Sequence, residues 1–544
     1  MRVHNLLTDR LIRFETPDGL EQGSLPDIYA ALMADRIESF PALRAHQGPA
    51  WHMFLAQLGA IACHRARLST PPDDAATWQD IIGQLTRDQF PDDEPWCLVV
   101  DDWSKPAFLQ PSVPEDLSLK GEDDDKRSPD ALDMLITSRN HDLKQSVATG
   151  ASLDDWLFAL VSLQTMEGYG GPKNYGISRM NGGSSSRVLM GLSPLPMNAV
   201  DHSVRVGRWL KRDISQLLAR RDEVLNGSSL SYPPAAGVAL TWTVAWPEGD
   251  QLLLDQLDIW FIEVCRRVRL RRIGDTLRAS MGNSSTERIK AKHLNGFVGD
   301  PWAPVHRIEK KSLTIGDEGT FHYTRVVDLL FSGDWFLPSL AELGDDEADE
   351  VGNWLLVIAA IARGNSKTGG FKSRAIPLEG RQARGLIAKR AELHDVAREL
   401  TGEIKKIDNA LRYALALATA SGVADNIDKN SYARAHPYSN RLDAAADRLF
   451  FPALWERFEA EQEGTAIDVE RARRSFLLPL IDVARDLLKE GLADIPCPAI
   501  RRRRAEARAL RAFEGRLRNA NPKIGFPGLF MNDPDVDQEM TDAA

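Results

Sequence analysis

Leu393-His-Asp-Val-Ala-Arg-Glu-Leu-Thr-Gly-Glu-Ile-Lys-Lys-Ile-Asp-Asn-Ala-Leu411 carries apolar side chains at Leu393, Val396, Leu400, Ile404, Ile407 and Leu411. Spacings of three and four put these on one stripe of a helix. From about Glu379 onward glycine and strand signals nearly vanish, and further amphipathic runs at 442–458, 465–489 and 498–517 bring the number of helices to about four. Gly464 and Gly491 read as breaks and Pro479 as a kink. Upstream of Glu379 strand and helix patterns alternate. The expected fold class is therefore α+β: a mixed N-terminal α/β globular domain over 1–378, a C-terminal four-helix bundle over 379–520, and an acidic tail over 521–544.

Within the N-terminal part, 5–19 reads as a strand closing in the turn Pro17-Asp18-Gly19. Ser24 reads as an N-cap, with an acid three residues on, for a helix running to about Phe40. Helical periodicity covers 50–67, 78–85 and 155–166, and 237–246 reads as a strand. Leu252–Arg272 reads as a helix with arginines at its C-terminal end, where the helix dipole favours cations. Trp354–Ala362 reads as an apolar helix and Thr320–Val327 as a strand, while 111–129 lacks any apolar period and reads as a long surface loop.

The 544 residues are 43% hydrophobic and 27% charged, which suits a folded chain. Cys63, Cys97, Cys265 and Cys497 form no C-x-x-C pair, which speaks against a zinc ribbon or a secreted disulfide framework. No long apolar leader or span is evident, so a cytoplasmic protein without a membrane partner is expected. The net charge of −11 argues against indiscriminate coating of nucleic acid. Charge is nevertheless segregated, with acidic runs at 122–125 and 345–350 and basic runs at 266–272 and 501–518.

Three segments carry possible chemistry. In 164–187, Gly168, Gly170, Gly171, Gly176, Gly182 and Gly183 expose backbone beside Lys173, Asn174, Arg179 and Arg187. Such amides suit phosphate or a nucleic-acid groove, although a turn-rich loop needing positive φ reads equally well. In 362–374, Lys367-Thr368 invites a P-loop reading, but Ser366 precedes the lysine and Gly364 stands only three residues before it. A loop pushing small polar and cationic groups into a duplex fits better. In 299–311 a proline-interrupted stretch leads to Lys310-Lys311, and a lysine in the DNA minor groove gains from the focused negative potential there. His141-Asp142 and His394-Asp395 lack the companions of a metal-dependent hydrolase, and no G-x-S-x-G elbow is present. The rival to a binding role is an enzyme acting on nucleic acid through Lys367-Thr368 or the His-Asp pairs. Arg501–Arg504, Arg508 and Arg511 read equally as a site for a displaced DNA strand and as a solvated helix face.

In order along the chain, Asn5–Asp9, Thr137–Lys144, Trp156–Arg187, Asp300-Pro301-Trp302 before the lysines, Gly364-Asn365 with Arg374, and the helical C-terminal part resemble the CasA family. That family is the large subunit of Cascade, the type I-E CRISPR surveillance complex of antiviral defence. The resemblance implies a subunit with no catalytic centre and no cofactor. Its implied role is to recognise the protospacer-adjacent motif (PAM) in double-stranded target DNA, help open the duplex for R-loop formation, and dock a helicase-nuclease. CRISPR RNA and the other Cascade subunits are implied partners. Carried over by residue, the family's glycine loop falls on Gly168, Gly170 and Gly171, its lysine finger on Lys310 or Lys311, and its wedge on Asn365, Ser366 and Lys367. Many members have glutamine after the asparagine, where this chain has Ser366. The loop that meets the RNA end and the motif falls on Asn140, Leu143, Lys144 and Gln145. Some members hold zinc near 266–295; with only Cys265 close by, no metal is expected here.

Overall fold

The computed structural model describes residues 2–114, 119, 126–133, 150–196, 203–227, 230–235, 237–344, 347, 352–364 and 367–530. The described residues divide into two compact units, one drawn from 1–321 and 333–384 and the other from 322–332 and 385–530.

Unit 1 opens with β1 (Arg2–Asn5) and the hairpin of β2 (Ile12–Thr16) and β3 (Gly19–Gly23), which turns at Gly19 with φ +123°. Helix α1 (Leu25–Met33) starts in the expected capping box: the Ser24 amide donates to Asp27 Oδ2 at 2.9 Å. It ends at Met33, about two turns short of the expected end. Helix α2 (Gly48–Arg65) is buried on nearly every face, as an all-round apolar helix must be. Helices α3 (Ala75–Gln84), α4 (Leu153–Met166) and α5 (Val206–Ala219) pack against it, and β4 (Cys97–Val100), β5 (Leu189–Leu195) and α6 (Arg221–Gly227) belong to the same unit. Seven fully buried tryptophans, among them Trp78, Trp96, Trp242 and Trp302, fill the core.

Several local readings give way to tertiary context. Only Val238–Leu240 of 237–246 is strand (β6), followed by a 3-10 turn. The expected helix over 252–272 is instead β7 (Leu257–Ile262) and β8 (Arg267–Ile273), with β9 (Thr276–Gly282) pairing back across the Gly274-Asp275 turn. The aromatic and β-branched run Ile259-Trp-Phe-Ile favours strand. Its arginines are not dipole cations: Arg266, Arg267 and Arg269 are buried and donate to backbone carbonyls. Beyond β10 (Val305–His306), the expected strand at 320–327 is helix α7 (Tyr323–Phe331), and Tyr323 stacks on Phe450 at 4.4 Å within unit 2. After β11 (Trp335–Phe336), the apolar run expected as a helix is β12 (Asn353–Gly364), the middle strand between β5 and β13 (Lys367–Glu379). A strand buried on both faces shows no alternation and cannot be told from a buried helix by pattern.

Unit 2 is the helical bundle. After α8 (Gly380–Ala388), whose start lies in unit 1, come α9 (Arg390–Thr419), the short α10 (Lys429–Ala433), α11 (His436–Glu463), α12 (Ala466–Asp494) and α13 (Ala499–Leu517). The stripe from Leu393 to Leu411 is buried along its length. Gly464 ends α11, but Gly491 lies inside α12, where a Cβ would approach Leu415 Cδ2 to 2.5 Å; it lets helices meet closely. Residues 521–530 fold onto the bundle, with Phe526 and Leu529 buried. Within the arginine run, Arg508 donates to the Gly422 carbonyl at 2.7 Å and Arg502 to that of Leu492 at 3.2 Å.

Candidate nucleic-acid interface

The glycine segment folds back on itself just after α4. Gly168 N donates to Ser185 O at 3.0 Å, Tyr169 N to Gly183 O at 2.9 Å, and Ile177 N to Glu167 O at 3.1 Å. These pairings press backbone against backbone. A Cβ on Gly168 would stand 2.3 Å from Gly183 O and 2.4 Å from Ser185 O, and one on Gly176 would stand 2.5 Å from the Gly168 carbonyl carbon. The close approach that Gly168 permits is therefore to its own chain, and Gly168 is buried. The exposed tip is Tyr169, Gly170, Pro172 and Lys173, closed by Gly170 N donating to Asn174 O at 2.8 Å. Gly171 (φ +115°) and Lys173 (φ +65°) hold the left-handed conformations that this tight turn requires.

Two cations expected at the surface are not there. Arg179 is 1% exposed, lies 3.9 Å over the Phe261 ring, and has its charged form disfavoured by burial and by neighbouring Arg187. Arg187 is 2% exposed and grips Asp300 with two bonds of 2.6 and 2.7 Å. Both support the loop from below rather than facing solvent, and the DNA-contact expectation for Arg179 is corrected accordingly. Arg266, which sequence reasoning assigned to a basic helix end, donates to Gly168 O at 2.9 Å and lies 3.3 Å from Glu167. Gln164 ties α4 to the neighbouring strand by accepting from Cys265 N and Arg266 N.

Beneath the loop, the buried Glu263 carboxylate accepts from Ser178 N at 2.6 Å and from Ser178 Oγ at 2.5 Å. Burial raises its pKa above the ordinary 4.5, opposed by Arg179. A carboxyl raised in the folded state contributes stability that is complete below the ordinary value and is lost as pH rises through the folded value. Glu263→Gln is thus expected to gain stability relative to the parent between pH near 4.5 and neutral pH. Urea melts at the two conditions check this, and a gap that does not widen would contradict it.

The three segments chosen from sequence meet in space. Asn181 Nδ2 donates to Ser312 O at 2.9 Å, just after the lysine pair. Ser185 Oγ donates to Ile361 O at 2.8 Å and accepts from Ile315 N at 3.2 Å. Arg363, near the β12–β13 tip, bonds Glu167 at 2.8 Å, and its amide donates to Ile315 O at 3.2 Å. Lys310 sits exposed at φ +51° in the turn that joins His306 to Lys311, its Nζ 4.7 Å from the Phe336 ring centre and 5.3 Å from that of Phe297. Lys311 instead pairs with Glu309 at 3.4 Å. Lys367 opens β13 opposite Gly364, while Asn365 and Ser366 lie outside the described residues, as do Asn140, Leu143, Lys144 and Gln145. Since Lys367-Thr368 opens strand β13 rather than a helix, the P-loop reading loses its frame. His394 lies within helix α9.

A cleft of about 480 Å3 opens under the loop, lined by Tyr169, Lys173, Tyr175, Glu263 and Lys292 among others. Lys292 was missed in the sequence: it lies 5.6 Å over the Tyr175 ring and 3.2 Å from Glu287. Burial pushes the nearby Cys265 thiol up to about 12, so it is inert as a nucleophile at neutral pH. Among the described residues no three His, Cys, Asp or Glu side chains gather into a metal-holding group, and no helix is long and apolar enough to cross a membrane.

Solved structures share this architecture along nearly the whole chain. Cse1 from Thermobifida fusca matches with a TM-score of 0.62 at 16% identity, covering 96% of this chain and 98% of that one. Cse1 from Acidimicrobium ferrooxidans gives 0.60 at 16% identity, with 94% and 97% covered. The chain has the Cse1 fold. CasA (Cse1) from Thermus thermophilus gives 0.57 at 15% identity over 94% and 99% of the two chains, and a chain of a CRISPR RNA-guided surveillance complex gives 0.57 at 14% identity. No family model and no curated protein sequence matches. In this version of the Cse1 fold, the glycine loop, the lysine turn and the β12–β13 hairpin are joined through Glu167, Ser185 and Ile315.

Proposed function

We propose that this chain is the non-catalytic large subunit of a type I-E CRISPR RNA-guided surveillance complex. It reads a short PAM in double-stranded DNA, starts duplex opening, and docks the helicase-nuclease that cleaves. The convergence of the glycine loop, Lys310 and the β12–β13 hairpin on one side of unit 1 carries this reading. Minor-groove edges separate A·T from G·C only coarsely, so an exposed backbone tip at Gly170 and Gly171 with one lysine suits a permissive reading of a short tag. Lys310 is the stronger finger because aromatic faces, not a carboxylate, hold its ammonium group. Opening DNA costs about 1.4 kcal/mol per base-pair step, and guide pairing roughly returns it, so Asn365, Ser366 and Lys367 need initiate only the first steps.

Binding of the reconstituted complex to a library of randomised flanking trinucleotides tests this reading directly. Matched-target binding should fall away when the subunit is omitted. Lys310→Ala should weaken binding and reduce the slope of log affinity against log salt by about one. Lys311→Ala should do less. Target binding unchanged by Lys310→Ala would remove the lysine from the interface.

A further inference from the structure

We infer that unit 2 carries a phosphate-binding site of its own, in a cleft of about 420 Å3 lined by Lys406, Arg412, Arg516 and Lys523 together with Asn409 and Tyr413. Lys406, Asn409 and Tyr413 follow one another at three and four along α9, with Arg412 adjoining, so they line one strip of that helix. Arg516 enters from the last turn of α13. The chain then folds back: Ile524 N donates to Asn521 O at 2.9 Å, Phe526 N donates to Leu517 O at 2.9 Å, and Phe526 is buried. That return brings Lys523 to the cleft.

The cleft cations lack the carboxylate matches that several arginines elsewhere in the bundle have. Arg473 is matched by Glu403 and Glu470, Arg457 by Glu399 and Glu461, and Arg485 by Glu514 and Asp482. Among the described residues the four cleft cations share one ion pair, Arg412 to Asp408 at 3.8 Å. Asp408 is already bonded by Ser439, and burial shifts its carboxyl toward the neutral form. Aromatic rings hold two of the others: Arg516 lies 3.8 Å over Tyr413, and Lys406 5.3 Å over Phe526. The Nε atoms of Arg412 and Arg516 are buried without a hydrogen-bond partner. The dipole at the C-terminus of α13 accounts for Arg516 in its last turn, but not for Lys406 and Arg412 along α9.

Guanidinium forks and ammonium groups converging in a concave, acid-poor site match phosphoryl oxygens, and the Asn409 amide and Tyr413 hydroxyl offer further donors. The volume lies within the range of small-ligand sites. The phosphoryl group belongs either to a free oligophosphate or to the backbone of a single strand. This inference stands on unit 2 alone and does not depend on the reading of the glycine loop.

Calorimetric titration of the full chain with inorganic pyrophosphate, and separately with oligothymidine lacking terminal phosphates, tests it. Saturable pyrophosphate binding that weakens about tenfold or more in Lys406→Met/Arg516→Gln supports the site with a free ligand. The same loss seen with oligothymidine alone supports it with a strand phosphate. Lys489→Met, which removes an exposed lysine paired with Asp486, should change neither. If the double variant does not fold, Lys523→Met, at an exposed position, takes its place and should weaken binding about threefold or more. Absence of binding, or binding equal in parent and cleft variants, overturns the proposal.

Discussion

Asp300→Ala is expected to destabilise the protein by about 3–5 kcal/mol, because it leaves the Arg187 guanidinium buried without its counter-charge. Arg187 Nε and Nη2 donate to the Asp300 carboxylate at 2.6 and 2.7 Å, with side-chain exposures of 2% and 0%. Asp300 also accepts from Trp302 N at 3.1 Å, and Arg187 reaches Gln57 Oε1 at 3.2 Å on core helix α2. The pair thus connects the end of the glycine segment to the core and to the turn before the lysine hairpin. Chemical denaturation measures the loss. Asp300→Leu combined with Arg187→Met should recover much of it, since removing both charges avoids the desolvated orphan. A loss below about 1 kcal/mol for Asp300→Ala would show that the charge finds another partner.

Gly168→Ala is expected to cost about 3 kcal/mol or more and to abolish target binding by the assembled complex. The methyl group would meet two backbone oxygens at 2.3 and 2.4 Å, neither of which can rotate away as a side chain can. The Gly168–Ser185 and Tyr169–Gly183 bonds that shape the loop would have to part. Gly171→Ala provides the contrast. Its Cβ would meet nothing within 4 Å, so the penalty is the strain of φ +115°, about 1 kcal/mol, with the loop's anchorage kept. Denaturation of both variants, with amide exchange at Gly168 and Ile177, separates them. Equal stability for the two would refute the self-packing account.

The distinction between these glycines was not legible in the sequence, where Gly168, Gly170 and Gly171 read alike as openings for a ligand. Their roles part only when Gly183 and Ser185 return beside Gly168. The arginines show the same limit. Arg179 and Arg187 looked like surface cations next to a glycine-rich loop, and Arg266–Arg272 like a helix end; the burial of Arg179, Arg187, Arg266 and Arg269 depends on Phe261, Asp300, Glu167 and the carbonyls of distant strands. Lys292 was passed over because Tyr175, the ring it covers, lies in a remote part of the chain.

Features set by a few neighbouring residues could be read directly: the Ser24–Asp27 capping box, the hairpin turn at Gly19, the non-helical glycine segment, and the apolar stripe that makes α9 and its companions a bundle. Helix or strand at 354–362 and 257–273, which glycine tolerates a methyl group, and which cation meets solvent were decided by tertiary structure. The physical reason is that an apolar run or an arginine has several acceptable local conformations. The choice among them comes from hydrogen-bond and charge partners such as Ser185 for Ile361 and Asp300 for Arg187, more than a hundred residues away.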